Sequence, residues 1–433
     1  MRYLSTLCLI GLMSAFAAAA SGSAIENALQ NAKPKLARLL HENILPYWLP
    51  GVLDETHGGY QIHLDQSGAP KAGGDKGLVT QARCLWFFSH LINEGYDDAQ
   101  YRQAARHGFA FLTEHMWDPD QGGFYWQVDA AGDTPTVSDK HLYGQAFALY
   151  ALSEYCIAFD DAGAKRWADR LFRVIEHNAY DEAHGGYREW FTADWQVPSG
   201  DESGPMGGQA PDWKLMNTHL HLLEAFTVYA RINNSPYVME RLRELITIQS
   251  NTVVRKTLGA CTDRYHLDWT PLRGPQHDTV SYGHDIENVW LLMLAIEEAG
   301  RSMSPYSDLF ETLYAYSLRH GFDEDEGGFY YTGAFHQDSD DRNKDWWVQA
   351  EGLVSALAML RHSGDPKYLR VFQKTLDWIV DHQADWQNGG WHSRIQPDGA
   401  IVGSKANLWK SPYHNGRAVI RCLKLIDEWP STR

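Results

Sequence analysis

One short signal recurs along this 433-residue chain at nearly constant spacing, and it limits the folds available. It reads His57-Gly58-Gly59-Tyr60, Gln121-Gly122-Gly123-Phe124-Tyr125 and His184-Gly185-Gly186-Tyr187, then Glu326-Gly327-Gly328-Phe329-Tyr330 and Asn388-Gly389-Gly390-Trp391. The first glycines lie 64, 63, 142 and 62 residues apart, and 142 is twice 71, so a degenerate copy is expected within residues 255–265. Leu258-Gly259-Ala260-Cys261-Thr262-Asp263-Arg264-Tyr265 supplies a glycine followed by an aromatic there. Each copy predicts a tight turn with left-handed glycine leading into a short extended aromatic segment.

Between the turns lie apolar-periodic segments of helical length: Leu78 to Ile92, Tyr143 to Ala158, Met216 to Ile232, Ile286 to Ala299 and Ala350 to Arg361. A second helical pattern precedes each turn, as in Tyr101 to Met116, Ala164 to Asn178 and Tyr368 to His382. Six units of two helices each, with no βαβ alternation, predict an all-α (α/α)6 barrel, a toroid of six helix hairpins. The ring also accounts for a long chain forming one catalytic domain, expected over residues 25–433. The stretch from Pro198 to Pro211, rich in Gly, Ser and acids, is expected to be a loop inserted at one rim.

The first twenty residues are expected to be a signal peptide. Arg2 gives a positive start, Leu4 to Phe16 an apolar run, and Ala17 to Ala20 the small residues of a cleavage site. A periplasmic or secreted protein follows, with no membrane span, because that run is too short for one. A net charge of −17 would repel phosphates and argues against nucleic acid as a partner. Cys84, Cys156, Cys261 and Cys422 are widely spaced and set mostly in apolar runs, which predicts buried free thiols; a disulfide is the alternative in an oxidising compartment. Trp, Tyr and Phe number 17, 22 and 16, a richness that suits a pocket stacking sugar rings.

In a ring of hairpins the first turns of the inner helices face one axial pocket. Those positions hold Gln81-Ala82-Arg83, Lys140-His141-Leu142-Tyr143, Asn217-Thr218-His219-Leu220-His221, His284-Asp285-Ile286-Glu287, Trp346-Trp347-Val348-Gln349-Ala350-Glu351 and Trp409 to Arg417, with His414 among the last. His284, Glu287 and Trp290 fall at i, i+3 and i+6, on roughly one helix face. An imidazole, a carboxylate and an indole at a helix mouth predict proton transfer on a sugar-like ligand. A His/Glu pair at i, i+3 can also hold metal, but the Glu-x-x-His partners of such a site are missing, so no metal and no cofactor is expected. Arg83, in an apolar helix, reads either as a ligand contact or as half of a buried ion pair. No phosphate loop, G-x-S-x-G elbow or catalytic cysteine context occurs.

The motifs N-T-H-L-H-L-L-E (217–224), S-Y-G-H-D-I-E (281–287), W-W-V-Q-A-E (346–351) and P-Y-H-N-G-R-A (412–418) together resemble the N-acylglucosamine 2-epimerase superfamily, and within it the cellobiose and mannobiose 2-epimerase branch. The resemblance runs from about Ala28 to Asp427. It implies an (α/α)6 barrel and cofactor-free epimerisation or isomerisation of a free sugar, with a small-molecule disaccharide as partner; the chain is expected to be a monomer. Matched motif by motif, it implies His284 and His414 as proton-transferring residues, Arg83 near the sugar O1 and O2, and Glu287 beside them. Tyr143, Asn217, His221, Trp290, Trp347 and Glu351 match its substrate-binding positions, and Trp346 and Trp409 are candidates for stacking. An aldose–ketose isomerase, an N-acylglucosamine 2-epimerase, an (α/α)6 glycoside hydrolase acting through Glu287 and Glu351, and a sugar-binding protein are the alternatives.

Overall fold

In the computed structural model the described residues are 22–429, apart from 72, 200–203 and 207–210. The expected signal peptide lies outside them, as does most of the Pro198–Pro211 loop. Among the described residues a helical run over 22–48 (α1) is followed by α2 (Leu78–Asn93), α3 (Ala99–His115), α4 (Leu142–Phe159), α5 (Ala162–Ala179), α6 (Met216–Ile232) and α7 (Pro236–Thr247). The chain then forms α8 (Tyr282–Glu298), α9 (Ser307–Gly321), α10 (Trp346–Ser363), α11 (Pro366–Trp378) and α12 (Tyr413–Asp427). None of these helices is long and apolar enough to cross a membrane.

Helices α2, α4, α6, α8, α10 and α12 pack each on the next, and α12 returns to α2, closing an inner ring. They are buried on nearly every side, whereas α5, α7 and α11 bury one apolar stripe and form part of the outer layer. The layers also start differently. Outer helices α3, α5, α7 and α11 are capped by the side chains of Asp98, Asp161, Ser235 and Asp365. Several inner helices instead donate their first N–H to the following hairpin unit: Leu78 to the Trp126 carbonyl, Leu142 to that of Glu189, Met216 to that of Asp263 and Trp346 to that of Ser393. Two- and three-residue antiparallel ladders, such as Lys140–His141 with Trp190–Phe191, reinforce these joints. They tie the rim together without altering the all-α class.

The double-glycine turns are as the spacing predicts. Both glycines are left-handed in all five copies. The aromatic that follows bridges back seven residues in each, from Tyr60 to Leu53 and from Phe124 to Trp117, for example. Val254 pairs with Cys261 at the same separation, so residues 254–261 are the sixth copy. The five full copies share an ion pair that spacing alone does not reveal: Lys76–Asp54, Lys140–Asp118, Lys214–Asp181, Lys344–Asp323 and Lys405–Asp385, at 2.5–2.8 Å. Four of these lysines also donate to the carbonyl of the first glycine. Lys140 is thus a structural cation of the rim and not a pocket residue.

Lys140→Met leaves Asp118 buried without its counter-ion. It is expected to destabilise the protein by about 3 kcal/mol, the low end for a broken buried pair, because two backbone N–H groups still serve the carboxylate. Burial raises the Asp118 pKa, but those N–H groups and Lys140 more than reverse this and lower it. The contribution is therefore present above the unfolded aspartate value and is lost as pH falls through the lower folded one. Denaturation midpoints across acidic pH should converge for Lys140→Met and wild type. All four cysteines of the described chain are free and buried.

Candidate active site

The inner helices bring their first turns together at one mouth, and around it lies a network centred on a residue that the sequence reading left without a role. Arg417, in the second turn of α12, is 3 % exposed and reaches three carboxylates. Nη1 bonds Glu224 of α6, while Nη2 bonds Glu287 of α8 at 2.6 Å and Glu351 of α10 at 2.8 Å. The guanidinium also stacks over Trp290 and Tyr413. Three helices are thereby held to a fourth. The signal available in the sequence was its place in P-Y-H-N-G-R, one helical turn after His414.

Glu351 connects this network to a histidine. Its Oε1 accepts from Arg417 and meets His414 Nδ1 at 2.7 Å, and its Oε2 accepts the Trp290 indole N–H at 2.9 Å. With Nδ1 so engaged, Nε2 of His414 is the nitrogen left for a ligand. Burial lowers the His414 pKa well below the ordinary value, helped by the Arg83 and Arg417 charges, so the imidazole is neutral at neutral pH. Glu287, by contrast, makes no hydrogen bond to a histidine. Its partner is Arg417, and its Oε2 is buried without one. Burial and the adjacent Glu351 raise its pKa well above the carboxylate range, which the guanidinium only partly offsets.

His284 stands in the first turn of α8 with its ring centroid 4.7 Å from that of Trp347, and the same indole lies 5.7 Å from His414. One tryptophan therefore packs against both histidines. Burial lowers the His284 pKa, against the opposing pull of Asp263 and Glu351. Asp263, on the degenerate rim turn, accepts the Asn217 N–H at 3.1 Å and is a second residue the motifs did not single out. The Asn217 side-chain oxygen has no hydrogen-bond partner, nor does the Trp346 indole N–H, whose ring is 6.5 Å from that of His414.

Among the described residues Arg83 bonds two neutral acceptors and no carboxylate. Nη1 donates to the Trp409 carbonyl at 2.9 Å and Nη2 to the Tyr143 hydroxyl at 2.8 Å, while Nε has no partner. Both acceptors are neutral, so neither offsets the guanidinium beside the mouth. His221 stacks edge-on against Tyr143 and meets Glu224 at 3.1 Å, with its pKa lowered by burial to about 4. Trp409, at 38 % exposure, is the outermost aromatic of the group, 6.2 Å from Tyr143.

The expectation that every first-turn residue faces the pocket needs correction. Gln81 and the buried His219 are turned to the rim turns, where they bond the backbone of Tyr60 and Tyr187. Glu287, Glu351 and His414 present ligand atoms within 4.8 Å of one another, the one such grouping among the described residues. Arg417 already fills the space between the two acids, and a cation there would meet a guanidinium.

Known proteins match this chain over most of its length. The sequence model of the N-acylglucosamine 2-epimerase (GlcNAc 2-epimerase) family matches residues 58–418. A cellobiose 2-epimerase from Bacteroides fragilis is 30% identical over 403 residues, covering 92% of this chain and 99% of that protein. One from Ruminococcus albus is 32% identical, with 89% and 96% covered. The solved structure of cellobiose 2-epimerase from Spirochaeta thermophila superposes with a TM-score of 0.82 at 34% identity, covering 92% of this chain and 97% of that one. The chain therefore belongs to the N-acylglucosamine 2-epimerase family and is a sugar isomerase of the same type as these 2-epimerases.

Proposed function

We propose that this enzyme inverts C2 of the reducing-end sugar of a β-1,4-linked disaccharide, interconverting cellobiose and glucosyl-mannose or the corresponding mannobiose pair. The observation that carries the reading is the pinned His414: Nδ1 on Glu351, Nε2 free, and a neutral ring at working pH. The hydrogen on C2 is acidic only when the ring is open and C1 is an aldehyde. A histidine assists that opening. His414 then removes the C2 proton of the glucose-type epimer, giving a cis-enediolate and an imidazolium, and His284, which carries a proton at this stage, delivers it to the opposite face. From the mannose-type epimer the roles exchange. In either direction the imidazole that removes the proton starts neutral, a state that burial favours at both histidines, and the other carries the proton it delivers.

Negative charge builds on O1 and O2 in the enediolate, and the Arg83 guanidinium stands where it can take that charge, a contribution of about 3–4 kcal/mol for one well-placed donor. Trp347 packs the sugar between the histidines and excludes water. The orphan Asn217 oxygen and Trp346 N–H are suited to sugar hydroxyls. A hydrolase reading loses support from Arg417, since Glu287 and Glu351 bond the same nitrogen rather than flanking a bond to be cut.

A proton NMR time course with cellobiose in D2O and EDTA tests the proposal. Mannose-type anomeric signals, deuterium at C2 and no free glucose are expected. Release of glucose, or no change with cellobiose and mannobiose alike, would overturn it. The second sugar ring is placed against Trp409. Trp409→Ala is then expected to raise KM for the disaccharide about tenfold, the loss of one stacking contact of roughly 1.4 kcal/mol, with kcat within twofold. An unchanged KM would remove Trp409 from the site. We also propose that the chain is exported as a monomer. The charged and apolar pattern of residues 1–20 supports export, and N-terminal sequencing of the exported protein tests it, an intact Met1 being the contrary result.

A further inference from the structure

The fourth residue of an inner helix clamps the rim turn beside it. In three hairpin units it is glutamine, and the amide works in both directions. The side-chain oxygens of Gln81, Gln145 and Gln349 accept the N–H of Tyr60, Phe124 and Phe329 at 2.8–2.9 Å, and their nitrogens donate to the carbonyls of the same residues at 2.7–2.8 Å. The clamped residue is the one after the double glycine, whose N–H and C=O both point away from its own turn. His219 makes the N–H half of this contact with Tyr187.

The equivalent residue of α8 is Asp285, and the equivalent of Tyr60 is Cys261, by the shared seven-residue bridge. Asp285 Oδ1 accepts the Cys261 N–H at 3.1 Å. Its Oδ2 is buried, and among the described residues the carboxyl has no partner besides that N–H and the Cys261 thiol. This hairpin unit also lacks the rim ion pair, since Arg255 and Val280 stand where the others have aspartate and lysine. An ionised carboxylate offers two acceptors and no donor. A carboxylic acid offers one of each, as the glutamine amide does.

We infer that Asp285 is a positioning residue that works as a neutral carboxylic acid, reproducing with one acceptor and one donor the clamp that glutamine makes elsewhere in the ring, and that this clamp sets His284. The groups facing it are the Cys261 thiol and the phenols of Tyr282 and Tyr316; Asn288 bonds the Cys261 sulfur. None is a cation, and burial pushes the Asp285 carboxyl up to about 8. Two residues after Cys261, Asp263 accepts N–H groups of both Met216 and Asn217 and acts electrostatically on His284. Holding Cys261 thus fixes the segment that faces one histidine, from the residue adjacent to it in the helix. The same group gives the enzyme an alkaline limit: as Asp285 ionises, the donor is lost and repulsion between carboxylate and carbonyl opens the clamp.

The functional part rests on the proton-transfer role proposed for His284; the protonation state does not. Asp285→Asn, Asp285→Ala and Cys261→Ala separate the two. Asparagine keeps both halves of the clamp without titrating. It is expected to retain kcat within about threefold and to lose the decline in activity above pH 8, whereas alanine lowers kcat about tenfold or more through misplacement of His284, with little change in KM. Cys261→Ala should keep the decline, because the thiol is not its source. Thermal unfolding reads the protonation state without activity. Folded Asp285 holds a proton that the unfolded chain has released, so wild type loses stability between about pH 4 and pH 8 and Asp285→Asn escapes that part of the loss. The Tm gap in favour of asparagine should widen across that window. A gap that stays constant with pH, an asparagine variant as impaired as alanine, or a decline abolished by Cys261→Ala would each overturn the inference. Failure of His284→Ala to reduce turnover would instead count against the proposed mechanism while leaving the Tm result standing.

Discussion

Arg417→Met is expected to cost about 5 kcal/mol of stability, the upper end for a broken buried ion pair, and to abolish measurable turnover. The variant keeps much of the side-chain volume and removes the charge shared by Glu224, Glu287 and Glu351. Those acids are buried together with His221 and His414, and among the described residues Arg417 is the guanidinium that bonds them. Without it they shed charge by taking up protons. Glu224, which burial would raise but Arg417 holds at about 2, should move furthest. Protonation of Glu351 then deprives His414 of the carboxylate that fixes its tautomer. Arg417→Lys should recover part of the stability, since an ammonium restores charge without the fork that spans three partners. Urea denaturation and C2 deuterium exchange measure the two effects. Full activity in the methionine variant would show that the network is scaffolding alone.

The second large effect is expected at the histidines. Under the proposed mechanism His414→Ala or His284→Ala removes a proton-transferring group, and turnover should fall by about 10²–10⁴. The two variants differ in a way that tests the facial assignment. His414→Ala should lose wash-in of solvent deuterium at C2 starting from the glucose-type epimer, while His284→Ala should keep slow exchange there without inversion. Wild-type kcat/KM should hold as pH falls through 6.5, because burial lowers the pKa of both histidines, and decline only at more acidic pH. An acid limb centred at the ordinary histidine value would contradict the burial argument. Near-wild-type turnover in both alanine variants would discard the mechanism.

How much of this the sequence determined is visible residue by residue. The double glycines could be read because a left-handed turn restricts residue choice wherever it occurs, and five repetitions at constant spacing encode a ring of hairpins. The inner helices were legible from their unbroken apolar character. His284 and His414 were legible as first-turn residues of those helices and Glu287 and Glu351 as residues one turn further on, and the motifs they lie in carried the family.

What the sequence could not give was pairing across the ring. Asp118 and Lys140 are 22 residues apart and Glu224 and Arg417 are 193 apart, and nothing in either residue's local sequence names its partner. Gln81, His219 and His284 all begin inner helices, yet only the rotation of each helix within the closed ring decides which faces the rim and which the mouth. Glu287 and Glu351 read alike in sequence and each gives one oxygen to Arg417, but only the closed ring brings Trp290 and His414 to Glu351 and not to Glu287. Local backbone preferences repeat along the chain and can be read there. Buried charges are assigned by distance in a low-dielectric interior, and that distance exists only once six hairpins have closed on one another.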